Sequence, residues 1–315
     1  MFYKVCFSIL CCVLLTSCTH KTQVQAPAPV ASLGSALQHR QVAAFTGVDV
    51  RGVLDLSLHT GARHSQVILK GDPRDLAFVV TQVVRGVLHV TVGAGYPRFG
   101  HVQVEVRTTH LHALAYHGVG RVSGLNLNTR LLDVEIVNQG PVTLQGHIGL
   151  RKLELSGHGY TEITGISSPH LQLILSGKTV VRLVGEVHLA TLDMKNEGRL
   201  SLFWVKSQEL TIRGRGKAWI QLAGQAEKLN VELWGTARFN GRYLRADRAF
   251  VKTHDQSIAE MSAVLRQHTL ALDKSDIHFY NVPAMKADFM AKDGAVLDMR
   301  NLASPFVQEY DEYNK

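Results

Sequence analysis

The chain has 315 residues, 45% hydrophobic and 19% charged, with a mean hydropathy of +0.02. Such a composition excludes intrinsic disorder and supplies enough apolar surface for a substantial core. The net charge of +8 is carried by scattered residues such as Arg63, Lys70, Arg85, Arg107 and Arg121, with no basic run; this argues against nucleic acid as a partner and leaves room for weak attraction to anionic lipid or polysaccharide.

All four cysteines, Cys6, Cys11, Cys12 and Cys18, fall within the first eighteen residues, around the apolar run VCFSILCCVLL. That run follows Lys4 and is too short to span a bilayer, so residues 1–17 read as an export signal. Leu15-Thr16-Ser17-Cys18 resembles the bacterial lipobox, in which cleavage falls just before the cysteine. The resemblance implies that Cys18 becomes a lipidated first residue and anchors the protein to a membrane through several acyl chains. Thr19, where inner-membrane lipoproteins often carry Asp, points to the outer membrane, facing either periplasm or cell surface. A mature chain without thiols has no disulfide, cysteine-ligated zinc, iron–sulfur cluster or cysteine nucleophile.

Residues 18–41, rich in Pro, Ala, Ser and Gln, have no sustained period and suit a flexible tether. Residues 42–110 alternate apolar and polar, as in Val48, Val50, Leu54, Leu56 and Leu58, which predicts a β-rich N-terminal region.

From there an internal repeat takes over: GVGRVSG (118–124), GPVTLQG (140–146), GYTEITG (159–165), TVVRLVG (179–185), GRLSLFW (198–204), AWIQLAG (218–224) and GTARFNG (235–241). Six of the seven end in Gly, and their starts lie 22, 19, 20, 19, 20 and 17 residues apart. The third and fifth positions are mostly apolar, as in Val142 and Leu144 or Val181 and Leu183. A second apolar pair precedes each start, as in Leu153 and Leu155 or Leu192 and Met194. Spacing of two points each pair to one face of a strand, and a unit this small has no core of its own. Stacked units would align these columns into a shared interior, which predicts an all-β fold, a parallel β-solenoid over 111–300 with rungs of about 20 residues and a β-rich N-terminal cap. The rival architecture, an antiparallel sandwich, would show hairpin dipeptides between alternations, and Asn240-Gly241 is the only one in the repeats. Past Gly241 the pattern weakens into terminal rungs containing Ala259, Met261, Ile277, Phe279 and Val296, before an acidic tail at 301–315.

The segments F-x-G-V-D-V-x-G-V-L-D-L-S-L-H-T-G (45–61), V-I-L-K-G-D (67–72), G-V-L-H-V-T-V (86–92) and L-A-Y-H-G-V-G-R-V (114–122) resemble the family called putative auto-transporter adhesin, head GIN domain, over roughly residues 42–245. The resemblance implies a bacterial envelope β-protein, often lipid-anchored, without an established activity. Its members commonly carry Pro before the strand that opens the repeats, where this chain has Arg107-Thr108-Thr109-His110.

Two functional readings follow. In the first, the protein is a non-enzymatic, adhesin-like module that binds an envelope protein or glycan through exposed aromatics, for which Tyr160, Phe203, Trp219 and Trp234 are the candidates. In the second, it is a carbohydrate-active solenoid, a polysaccharide lyase or hydrolase, using an outward carboxylate ladder of Glu135, Glu154 and Asp193. That ladder is read five residues before each start as Ala113, Glu135, Glu154, Ile174, Asp193 and Arg213. Lys178, Glu197 and Lys217 alternate in sign on neighbouring rungs, as favourable lateral pairing requires. No metal or other cofactor is expected: His-Glu-x-x-His is absent, and His110 with His112 or His117 with His158 lack a third ligand. Gly118-Val119-Gly120 and Gly214-Arg215-Gly216 fall short of a phosphate-binding fingerprint and read as repeat corners.

Overall fold

A computed structural model describes residues 34–280 and 286–299. The signal segment, Cys18, all but the last residues of the tether, and the acidic tail lie outside the described residues. The chain is a parallel β-solenoid of about nine turns.

The elements in chain order are β1 (Ala36–Gln41), β2 (Gly47–Gly52), β3 (Asp55–His59), β4 (Gln66–Gly71), α1 (Pro73–Leu76), β5 (Val79–Val84), β6 (Val87–Val92), β7 (Gln103–Arg107) and β8 (Ala113–Gly118). The long strands of the repeat follow: β9 (Val122–Asn138), β10 (Val142–Gly157), β11 (Tyr160–Leu175), β12 (Val180–Met194), β13 (Arg199–Gly214), β14 (Trp219–Leu233), β15 (Arg238–Thr253) and β16 (Ile258–Leu272). The stack closes with β17 (Asp276–Phe279), β18 (Lys286–Lys292) and β19 (Ala295–Asp298).

Each long strand pairs in parallel with the next. One buried column runs through Val122, Val142, Thr161, Val181, Leu200, Ile220, Phe239, Ala259 and Ile277, whose successive members are 18 to 20 residues apart. A second runs through Val134, Leu153, Leu173, Leu192, Ile212, Val231 and Val251. The aliphatic pairs therefore face inward, and lateral backbone bonding, not hairpin pairing, joins the coils. Each fully buried Leu, Ile or Val in these columns contributes about 1.5–3 kcal/mol.

The pairing corrects the repeat phase at both ends. Val122 lies beside Val142, so the first unit begins two residues later than Gly118; Ala113 then neighbours Asp133, and Ala115 takes the place beside Glu135. Phe239 lies beside Ile220, which moves the last unit by two as well.

Between its two apolar pairs each coil has a third inward segment, separated by breaks in register, so a coil has an opening, a middle and a closing face. The middle face buries Leu127, Ile148, Leu150, Ile166, Val187, Leu189, Val205 and Leu244. It follows a two-coil period: Thr129, Ser168, Ser207 and Ala246 are buried at successive steps of 39 residues. The Ser168 hydroxyl donates to the Leu150 carbonyl, and Ser207 repeats the bond to Leu189 at 2.8 Å. The corner from opening to middle face alternates likewise. Asn126, Gly165 and Trp204 take φ of +58°, +76° and +68°, whereas Gly146, Gly185 and Gly224 take +147°, +146° and +135°.

Two expectations for the N-terminal part are revised. The tether read over 18–41 ends before Ala36, because β1 pairs antiparallel with β4 and the Arg40 guanidinium donates to the Val79 carbonyl at 2.6 Å. Residues 42–110 also supply coils, in addition to a cap. Strand β2 lies between β6 and β8, and β3 between β7 and β9, all in parallel. The later segments β6 and β7 thus sit outside the earlier β2 and β3. Antiparallel β4, β5 and β1 then cover the end of the stack.

Tyr116 ties this region to the repeats. It is fully buried, donates to the Leu54 carbonyl at 2.7 Å and accepts from the Gly120 amide at 2.8 Å. Glycine is required around it: a Cβ on Gly118 or Gly120 would lie 2.2 Å from the Gly52 oxygen or 2.1 Å from the Leu54 oxygen. These glycines are structural corners. Burial pushes the Tyr116 phenol up to about 12, against a partial offset from the Gly120 amide. The folded value lies above the ordinary value near 10, so this stabilisation is complete below about pH 10 and is lost as pH rises towards 12, by about 2–3 kcal/mol. Tyr116→Phe is expected to lose about 1–2 kcal/mol at neutral pH, because it strands the Leu54 oxygen and the Gly120 amide. It is also expected to show a shallower alkaline decline than wild type. Urea midpoints at about pH 8 and about pH 11 check both, and parallel declines in the two proteins would rule out the phenol as the titrating group.

Candidate functional site

The outward residues form ladders one coil apart, about 4.8 Å per step. On the closing face, Glu135 and Glu154 are direct neighbours, as the column predicted, but Ile174 separates them from Asp193. Each carboxylate has a basic neighbour: His117 at 3.3 Å from Glu135, Lys152 at 2.7 Å from Glu154 and Lys195 at 4.0 Å from Asp193. The Lys178–Glu197–Lys217 ladder closes at 3.1 Å on both sides, and its two lysines hold the Glu197 carboxyl below its ordinary value.

The four candidate aromatics do not converge. Tyr160 and Trp219 share an outward column of the opening face, with Val180 and Arg199 between them. Tyr160 is exposed, whereas the Trp219 ring is half-buried with the Arg199 guanidinium 5.0 Å from its centroid. Trp234 lies at the end of the closing face, between Arg215 at 4.7 Å and the parallel ring of His254 at 5.3 Å. Phe203 is exposed beside the corner into the middle face.

Two depressions accompany these ladders. One of about 650 Å³ on the closing face is lined by Arg213, Glu232, Phe250, Lys252, His268 and Met290. Its charges are largely engaged, since Glu232 meets Lys252 at 3.5 Å and His254 at 3.4 Å, and His268, stacked on Phe250, meets Asp288 at 3.0 Å. The other, about 440 Å³ on the middle face, is lined by His188, Lys206, Gln208, Gln225, Glu227, Arg245 and Asp247 among others.

The residue that sequence reasoning missed is Trp204. It is 75% exposed and holds φ +68°, in a left-handed region costly for a bulky side chain. Two coils earlier the equivalent corner is Gly165, and four coils earlier it is Asn126. Among the described residues the other non-glycine positive-φ positions are Asn126, Asn196, Asp255, Asp273, Asp293 and Arg85, the last in the tight turn between β5 and β6. The signal was present in the sequence: GRLSLFW is the one repeat unit that does not end in Gly.

No curated protein matches the chain. Among solved structures it is similar to a putative adhesin from Parabacteroides distasonis, at 16% identity over 84% of this chain and 97% of that one, with a TM-score of 0.47. It is similar also to a putative adhesin from Parabacteroides merdae, at 15% identity over 84% of this chain and 95% of that one, with a TM-score of 0.46. The model of the family described as "Putative auto-transporter adhesin, head GIN domain" matches residues 44–191 and 147–283. With most of its length covered by that model, the chain belongs to this family.

Proposed function

We propose that the protein is a non-enzymatic, adhesin-like binding module of the bacterial cell envelope, anchored through lipid on Cys18. The observation that carries this reading is the contrast between carboxylates and aromatics on the surface. Glu135, Glu154 and Asp193 each have a basic neighbour, whereas Tyr160, Phe203 and Trp204 stand open to solvent. Open aromatics on a rigid ladder are the groups through which a solenoid would grip a partner. Membership of a family named for adhesins supports the same reading.

Labelling with a fatty-acid analogue is expected to mark the wild type and not Cys18→Ala, and protease shaving of whole cells separates surface from periplasmic display. In a capture experiment from cell envelopes, Tyr160→Ala and Trp219→Ala are expected to retain less material than wild type. Equal retention by all three would remove the opening face from the binding surface. Polysaccharide cleavage lost on replacing Glu135, Glu154 and Asp193 would overturn the non-enzymatic reading.

A further inference from the structure

We infer that Trp204 and the adjoining middle-face depression form a binding site for an acidic saccharide of the uronic acid class. This rests on the binding-module reading above and adds a ligand class and a location to it.

The backbone at Trp204 is strained. A left-handed corner is cheap for Gly or Asn and costs a tryptophan about 1 kcal/mol or more, a penalty that persists where function requires the side chain. Packing gives no such reason here, since the ring is 75% exposed. The register breaks around it: Val184, Gly185 and Glu186 stand opposite Phe203 and Trp204 one coil back, and Ala223 one coil on. The indole, exposed at the corner, is open to a partner as a platform. The half-buried Tyr243 lies beside Ala223 on the following coil, two coils or about 9.6 Å along the stack from Trp204. The C–H face of a sugar ring stacks on such a platform.

The next outward column supplies the polar half of the site. Lys206, Gln225 and Arg245 lie on three successive coils. Neither Lys206 nor Arg245 has an ion-pair partner among the described residues. Two cations carried on coils about 9.6 Å apart, with an amide on the coil between, suit one carboxylate held from both sides. Beyond them lie Gln208, Glu227 and Asp247, whose oxygens accept from hydroxyls. Aromatic platform, paired cations and hydroxyl acceptors together describe a ring bearing both hydroxyls and a carboxylate. An acyl chain would instead need an apolar trough, and the side chains that line this depression, Ala226 apart, are polar or charged.

The test is calorimetric titration with oligogalacturonate, with a malto-oligosaccharide as neutral control. Wild type is expected to bind the first more tightly than the second. Trp204→Gly is expected to weaken oligogalacturonate binding at least tenfold without lowering the melting temperature, since glycine suits the left-handed corner. Lys206→Gln with Arg245→Gln is expected to abolish the preference for the acidic sugar and to remove the salt dependence of binding. Binding by Trp204→Gly equal to wild type, an undiminished preference in the double variant, or no wild-type binding would overturn the assignment. Capture of envelope material that depends on Trp219 but not on Trp204 would sink this site and leave the module reading standing; capture that depends on neither would sink the two together.

Discussion

Gly146→Ala is expected to destabilise the protein by more than about 4 kcal/mol and to lower its melting temperature by about 8 °C or more. Two costs combine. At φ +147° an L-residue is strained, and the added Cβ would lie 2.0 Å from the Leu127 oxygen and 2.5 Å from its nitrogen. Those are backbone atoms of the preceding coil, tied into the parallel ladder, so neither can step aside without breaking lateral hydrogen bonds. Glycine is held there by the distance between coils, and Gly185 and Gly224 repeat the situation at 2.1 Å from the Ile166 and Val205 oxygens. Thermal unfolding followed by circular dichroism reads the effect. A variant melting within about 2 °C of wild type would mean that the corner relaxes, and the close-approach argument would fail.

Leu183→Asp is expected to cost about 5 kcal/mol or more at neutral pH, through loss of a fully buried aliphatic and placement of a carboxylate among apolar neighbours. Leu183 lies between Ile163 and Leu202 near the middle of the stack. Burial raises the introduced carboxyl above its unfolded value, so the variant gains stability relative to wild type as pH falls towards about 4. Because each coil touches chiefly its neighbours, the damage spreads along the axis from this point. Hydrogen exchange is expected to accelerate first over residues 160–205. Uniform acceleration over the whole chain would indicate a single cooperative core instead of a stack.

Much of the fold was legible because period-two aliphatic pairs recurred every twenty or so residues, and from the second unit to the sixth those columns are buried where the pattern placed them. The middle face was not legible. Its inward positions include Thr129, Ser168, Ser207 and Ala246, small or polar groups that close their hydrogen bonds on the previous coil and give no apolar signal. The N-terminal coils escaped for a topological reason: β2 and β3 are separated in sequence from the β6 and β7 they pair with by the antiparallel insertion that caps the stack, so no period exists there to be read. The candidate aromatics were chosen as outward residues, which does not distinguish a ring covered by arginine, such as Trp219 or Trp234, from one left open. Trp204 left a trace in the sequence, as the end of the one unit without a closing Gly, but the backbone gave that trace its meaning by placing the residue in a series otherwise held by Asn126 and Gly165.

The alternation of corner geometry bears on how such a molecule can lengthen. Duplicating one coil would set a left-handed corner where its neighbours need the other glycine conformation, and would interrupt the bond series of Ser168 and Ser207. Duplicating 39 residues restores both series at once. Growth or shortening of the stack by gene rearrangement is therefore quantised in doublets, and its length would change by about 10 Å at a time.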